Sequence, residues 1–227
     1  MDKVTFYGHA ALGIETSGNT LLVDPFFSGN PNAAVSPVEV PADFILLTHG
    51  HGDHVGDAEG IARRTGALII SNSEIAAWYK KKGLKTQGQP LGGHFSYPFG
   101  DLQLTFALHG STLPDGTYGG SPTGLRIDTK AGSRIYLAGD TGLFGDMQLI
   151  GEDSIDLAVL PIGGHFTMDP NDALRAVKMI RPRHVIPIHY HTWESIEQDP
   201  QAWAQRVEAD TDTKVHVLQP GESFILP

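Results

Sequence analysis

Four metal-binding side chains fall within six residues: His49, His51, Asp53 and His54, in the run Thr48-His49-Gly50-His51-Gly52-Asp53-His54. Imidazole nitrogens and carboxylate oxygens are ordinary ligands of Zn²⁺ and other divalent first-row ions. A cation so held can acidify a water molecule or polarise a carbonyl or phosphoryl oxygen. Gly50 and Gly52 put no side chain against an ion and let the backbone bend sharply.

One ion rarely takes all four donors from so short a loop without strain. Two ions divide them more easily, with His49 and His51 on one and Asp53 and His54 on the other. Each ion then needs further ligands. Three side chains have the chemistry and the position: His109, Asp140 in Ala138-Gly139-Asp140-Thr141-Gly142, and His189 in Pro187-Ile188-His189-Tyr190-His191. Each follows a predicted strand, as the cluster does, and a strand fixes the origin of the loop after it.

Several nearby groups carry two readings. His191 competes with His189, because residues two apart point the same way on extended backbone; the place directly after the strand end favours His189. His9 either faces the site, binding substrate or supporting a ligand, or is structural. Asp24, before Pro25, is a turn residue or an anchor for a ligand histidine. His165, in Gly163-Gly164-His165-Phe166-Thr167, belongs to the substrate side or to a surface loop. His94, His184 and His216 read as structural or exposed. Trp78, Trp193 and Trp203 read as core or interface rather than cofactor contacts.

The elements that must position these groups alternate. Residues 4–7, 11–15 and 20–23 are strand-like, with a turn at Ser17-Gly18-Asn19. Residues 28–41, rich in Pro, Asn, Gly and Ser, form an ordered loop. Residues 44–47 make a short buried strand that ends at the donor run. A helix over 55–65 follows, its Arg63-Arg64 end suiting the negative pole of the helix dipole. Residues 67–70 are a strand, and Ser73 caps a helix to Lys82 that Gly83 closes. Strands at 94–97, 102–108, 124–129 and 133–137 come next. Then strands at 155–160, 184–187 and 214–218 alternate with helices at 170–180 and 200–208. A β-rich stretch followed by βα units thus occurs twice. The order predicts two similar halves, each a sheet covered by helices, packed sheet against sheet.

Composition limits the function. At 227 residues and 40% hydrophobic content, the chain fits a single domain, 1–227. No apolar run reaches membrane-spanning length, and the start lacks a signal-peptide pattern, so a cytoplasmic protein is expected. There is no cysteine, so any metal rests on His, Asp or Glu. A net charge of −10, with no basic run longer than Lys80-Lys81-Lys82, argues against nucleic acid as a partner. A small molecule is the expected substrate; homo-oligomerisation is left open.

The run THGHGDH resembles the HxHxDH signature of the metallo-β-lactamase superfamily. The later His, Gly-Asp-Thr and His elements occur in matching order. Gly8-His9-Ala10, Val23-Asp24-Pro25-Phe26 and Pro161-Ile162-Gly163-Gly164 are similar to the UPF0173 metal-dependent hydrolases, related to the ascorbate-phosphate lactonase group. The resemblance implies a four-layer αββα sandwich. It implies His49, His51 and His109 on a first metal, Asp53, His54 and His189 on a second, and Asp140 bridging. The ions would be two divalent metals, Zn²⁺ first, with Mn²⁺ or Fe²⁺ as alternatives. A hydroxide between them would attack a small ester, lactone or phosphoester, with Asp53 orienting it or accepting its proton. His51 in place of a carboxylate argues against the diiron flavoprotein branch. The alternatives are a phosphodiesterase or nuclease of the tRNA-processing type, and a metal-binding protein without turnover.

Overall fold

The computed structural model describes residues 1–227. Strands β1 (Lys3–Gly8), β2 (Ala11–Thr16) and β3 (Asn19–Val23) form an antiparallel meander. Strands β4 (Phe44–Leu46), β5 (Leu68–Ser71) and β6 (Thr86–Gly88) add to it in parallel. Helices α1 (Gly52–Val55) and α2 (Ala58–Thr65) connect β4 to β5, and α3 (Ser73–Lys81) connects β5 to β6.

The second half repeats the plan. Strands β7 (His94–Tyr97), β8 (Gly100–Phe106), β9 (Thr123–Thr129) and β10 (Arg134–Leu137) are antiparallel. Strands β11 (Leu157–Pro161), β12 (His184–Ile188) and β13 (Lys214–Val215) continue in parallel. Their crossovers contain α4 (Met147–Gly151), α5 (Pro170–Ile180) and α6 (Pro200–Asp210). The last strand, β14 (Ser223–Ile225), pairs with β1, so each sheet has seven strands.

Alternation along the strands sends one set of apolar side chains between the sheets. Val4, Leu12, Ile14 and Leu21 of the first sheet meet Leu102, Leu104, Ile127 and Ile186 of the second in one continuous core. Opposite-facing residues pack outward onto helices: Leu22, Ile45 and Ile69 against α2 and α3, and Ala158, Leu160 and Val185 against α5 and α6. Burying each Leu or Ile contributes about 2 kcal/mol. The layers are therefore helix, sheet, sheet, helix, as expected.

Local details differ from the sequence reading. The helix expected over 55–65 is two helices broken at Gly56, whose φ is 29°. A Cβ there would lie 2.5 Å from Pro25 O, so the loop bearing Asp24 needs this gap. Arg64 does not sit free at the helix end; it donates to the carbonyls of Pro37 and Val40. The cap of α3 is Asn72, whose Oδ1 accepts from Ile75 N; Ser73 is already helical. The strand expected over 214–218 stops at Val215.

Candidate metal centre

Every donor-bearing loop leaves the end of a strand. His9 follows β1, Asp24 follows β3, His49 to His54 follow β4, His109 follows β8, Asp140 follows β10 and His189 follows β12. These ends meet at one edge of the sandwich. Donor atoms of His49, His51 and His109 lie within 4.8 Å of one another, as do those of His49, His54 and Asp140, and those of His9, Asp53, His54 and His189. The seven expected ligands are thus brought together, and His9 joins them.

Asp140 lies among the donors. Its Oδ1 is 3.3 Å from His54 Nε2. Its Oδ2 is 3.1 Å from His189 Nε2, 3.5 Å from His109 Nε2 and 4.0 Å from His49 Nε2. Asp53 Oδ2 is 3.9 Å from both His54 Nε2 and His189 Nε2. His49 Nε2 and His51 Nδ1 face each other at 3.0 Å.

Asp24 orients two of these rings. Its Oδ1 accepts from Thr48 N at 2.9 Å, and its Oδ2 accepts from Thr48 Oγ1 at 2.6 Å. The Thr48 hydroxyl has then given its one proton, so its contact with His49 Nδ1 at 3.0 Å must be received from Nδ1–H. Asp24 Oδ2 also takes His54 Nδ1–H at 2.8 Å. Both histidines therefore present Nε2 to the cluster. A carboxylate behind a ligand histidine is a recurring way to fix tautomer and raise basicity.

A second line runs from the other side. His9 Nε2–H donates to Asp53 Oδ2 at 3.1 Å, and His9 Nδ1 accepts from the Thr192 hydroxyl at 2.7 Å. Burial above all pushes His9 down to about 4, despite the pull of Asp53, so the ring is neutral near pH 7. Burial also lowers His49, helped by the charge of His54, and burial lowers His109. Burial opposes charge on His54, but Asp140 and then Asp24 override it and hold His54 well above 6.5. Burial likewise opposes charge on Asp140, and His189 and His54 hold its carboxyl well below the usual range. Asp53 is lowered too: burial is outweighed by the His9 hydrogen bond and His54.

These residues fit a divalent metal. His54 Nε2, Asp140 Oδ1 and His189 Nε2 are buried and make no well-aligned hydrogen bond, a costly arrangement that a bound cation would relieve. The donors are nitrogen and oxygen without thiolate, a set suited to Zn²⁺, Mn²⁺ or Fe²⁺. Backbone strain gathers here as well. His9, Asp24 and His189 have φ of 57°, 42° and 59°, and such strain persists where the surroundings enforce it.

The remaining candidates separate. His191 is exposed and turns to Gln198 O and Glu197 rather than to the cluster. The left-handed φ at both 189 and 191 breaks the alternation that would have aimed them together. His165 is exposed and packs edge-on against Phe166; it does not reach the donors. Trp193, expected in the core or an interface, is 38% exposed and has its ring 4.9 Å from that of His9. With Phe26 and Phe166 it walls an open cavity of about 650 Å³ over the donors. Gly50 and Gly52 do not have positive φ. Gly50 is needed because a Cβ would lie 3.0 Å from Ser111 O, whereas Gly52 has open space. Sequence reasoning missed Thr48, Thr192 and the aromatic wall.

Known proteins place this arrangement. A model of the beta-lactamase superfamily domain matches residues 19–190. A UPF0173 metal-dependent hydrolase of Thermus thermophilus is 47% identical over 222 residues, covering 98% of both chains. The solved structure of a metallo hydrolase from the archaeon Ignicoccus hospitalis has a TM-score of 0.90 at 39% identity, covering 98% of this chain and 97% of that one. An isothiocyanate hydrolase from Delia radicum gut bacteria shares the fold, with a TM-score of 0.75 at 21% identity and 98% coverage of both chains. Full-length similarity and a donor cluster at the strand ends agree, and the chain belongs to the UPF0173 metal-dependent hydrolases of the metallo-β-lactamase superfamily.

Proposed function

We propose that this metal-dependent hydrolase uses a dinuclear centre to cleave a small ester, lactone or phosphoester, with Zn²⁺ as its first choice and Mn²⁺ or Fe²⁺ as alternatives. The observation that carries the reading is a set of buried donors without a well-aligned hydrogen bond, His54 Nε2, Asp140 Oδ1 and His189 Nε2, at the foot of an open cavity. His49, His51 and His109 would hold one cation, and Asp53, His54 and His189 the other. Asp140, whose Oδ1 faces His54 and whose Oδ2 faces His189, His109 and His49, would serve both. When bound, such cations supply an acidified water and a counter-charge for a developing oxyanion.

The chain's own groups do the rest. The side chain of Asp53 is 25% exposed toward the cavity and can take the proton of an attacking water. His9 holds that carboxylate by one oxygen, and Thr192 holds His9. A closed structural site is disfavoured, since structural zinc is normally enclosed by four protein ligands, whereas His51, Asp53 and His109 open to a cavity.

Metal removal tests the reading. Hydrolysis across a panel of neutral esters, lactones and phosphodiesters should disappear after chelation and return with Zn²⁺, Mn²⁺ or Fe²⁺. Turnover indifferent to metal removal, or none on any substrate after restoration, contradicts it.

A further inference from the structure

We infer that the substrate is uncharged away from the bond that is cut and bears an apolar group there, which sets it apart from esters with a remote carboxylate or phosphate. This inference rests on the hydrolytic reading above and narrows it. Its first support is the distribution of cations along the chain. The site is built by segments 8–10, 24–33, 48–54, 107–121, 138–147, 162–169 and 189–199, and none contains a Lys or Arg. The chain is free of both over 4–62, 86–125, 135–174 and 184–205, so all its cationic side chains originate elsewhere.

Recognition of a phosphate or remote carboxylate draws on Arg, Lys or a helix N-terminus with free N–H groups. Neither cation borders the cavity, whose helical residues are Gly52 and Asp53 of the four-residue α1 and Ser195 of the single 3-10 turn Glu194–Ile196. Bound metal ions would add positive charge, but that charge acts at the scissile group and is offset by Asp53 and Asp140. A second negative group on the substrate would meet no Lys or Arg partner.

The wall supplies the second support. Phe166 and Trp193 are 51% and 38% exposed, and Phe26 lies 6.3 Å from Trp193, centroid to centroid. Aromatic faces around a concave site bind apolar and aromatic groups by area and by edge-to-face contact. A substrate carbonyl over the donors would let its apolar substituent lie between these rings. The reaction balances without another reagent. Water adds through oxygen to the carbonyl carbon, and the ester C–O bond breaks. One water proton leaves with the alcohol, and the other is released through Asp53 as the carboxylate forms.

A matched pair of substrates tests this. 4-Butyryloxybenzamide and 4-butyryloxybenzoate differ in one remote charge. With the metal-loaded protein, kcat/KM for the benzamide ester should exceed that for the benzoate at least tenfold. Trp193→Ala should raise KM for the benzamide ester five- to twentyfold with metal content unchanged. In metal-free protein, 4-hydroxybenzamide should quench tryptophan fluorescence more strongly than 4-hydroxybenzoate, and Trp193→Ala should remove the difference. Equal or better turnover of the benzoate, or a KM unmoved by Trp193→Ala, overturns the inference. If no ester is hydrolysed with metal restored, the hydrolytic reading falls. The fluorescence titration then decides the ligand class alone, and equal quenching by both phenols overturns it.

Discussion

Asp24 ties two donor histidines to one carboxylate, directly at His54 and through the Thr48 hydroxyl at His49. Asn in its place keeps the shape but turns one acceptor oxygen into an NH₂ donor, so it no longer dictates which imidazole nitrogen carries the proton. Asn tolerates left-handed backbone, so it preserves the φ of 42° at this position. Asp24→Asn should therefore fold and lose about 10- to 100-fold in metal affinity, measured by competition with a chromophoric chelator. Unchanged affinity would show that Asp24 is only a turn residue. The donors themselves were legible in the sequence because histidines two and five apart after an apolar strand are rare. Thr48 and Thr192 were not, because a hydroxyl gains its role only from the partner that folding puts beside it. The choice of His189 over His191 needed the backbone: two left-handed residues undo the alternation that spacing assumes.

Strand ends do the positioning, and the strands were readable as short apolar runs bounded by turn residues. What stayed hidden was short or polar: β6, α4 and β14 span three to five residues each and have no period to detect. The break between α1 and α2 was hidden for another reason. Gly56 is required by contact with Pro25 and Phe26, on the distant loop that carries Asp24. A Cβ at Gly56 would sit 2.5 Å from Pro25 O and 2.8 Å from Phe26 Cα, on backbone with φ of 29°. Gly56→Ala should cost about 3 kcal/mol from strain and overpacking, read by chemical denaturation of the metal-free protein. It should also weaken metal binding, because it pushes the Asp24 loop away from His54. A loss below about 0.5 kcal/mol, the range of neutral surface changes, would mean that this contact does not hold the loop.

The two halves of the molecule share a plan, an antiparallel group of strands extended in parallel, and the element order in the sequence announced it. The exchange of β14 onto the first sheet did not show, because pairing between residues 3 and 225 leaves no local trace. The halves contribute unequally to the centre. The first supplies His49, His51, Asp53 and His54 from one loop, and the second supplies His109, Asp140 and His189 from three. The centre lies on the seam, so metal binding should couple the halves and stabilise the whole fold. The central claim is that this seam holds two ions per chain, and metal stoichiometry tests it most directly. Metal-free protein titrated with Zn²⁺ and analysed for bound metal after gel filtration should retain two ions per chain, and His54→Ala should fall towards one. One ion in the unaltered chain, or two still bound by His54→Ala, would contradict the account.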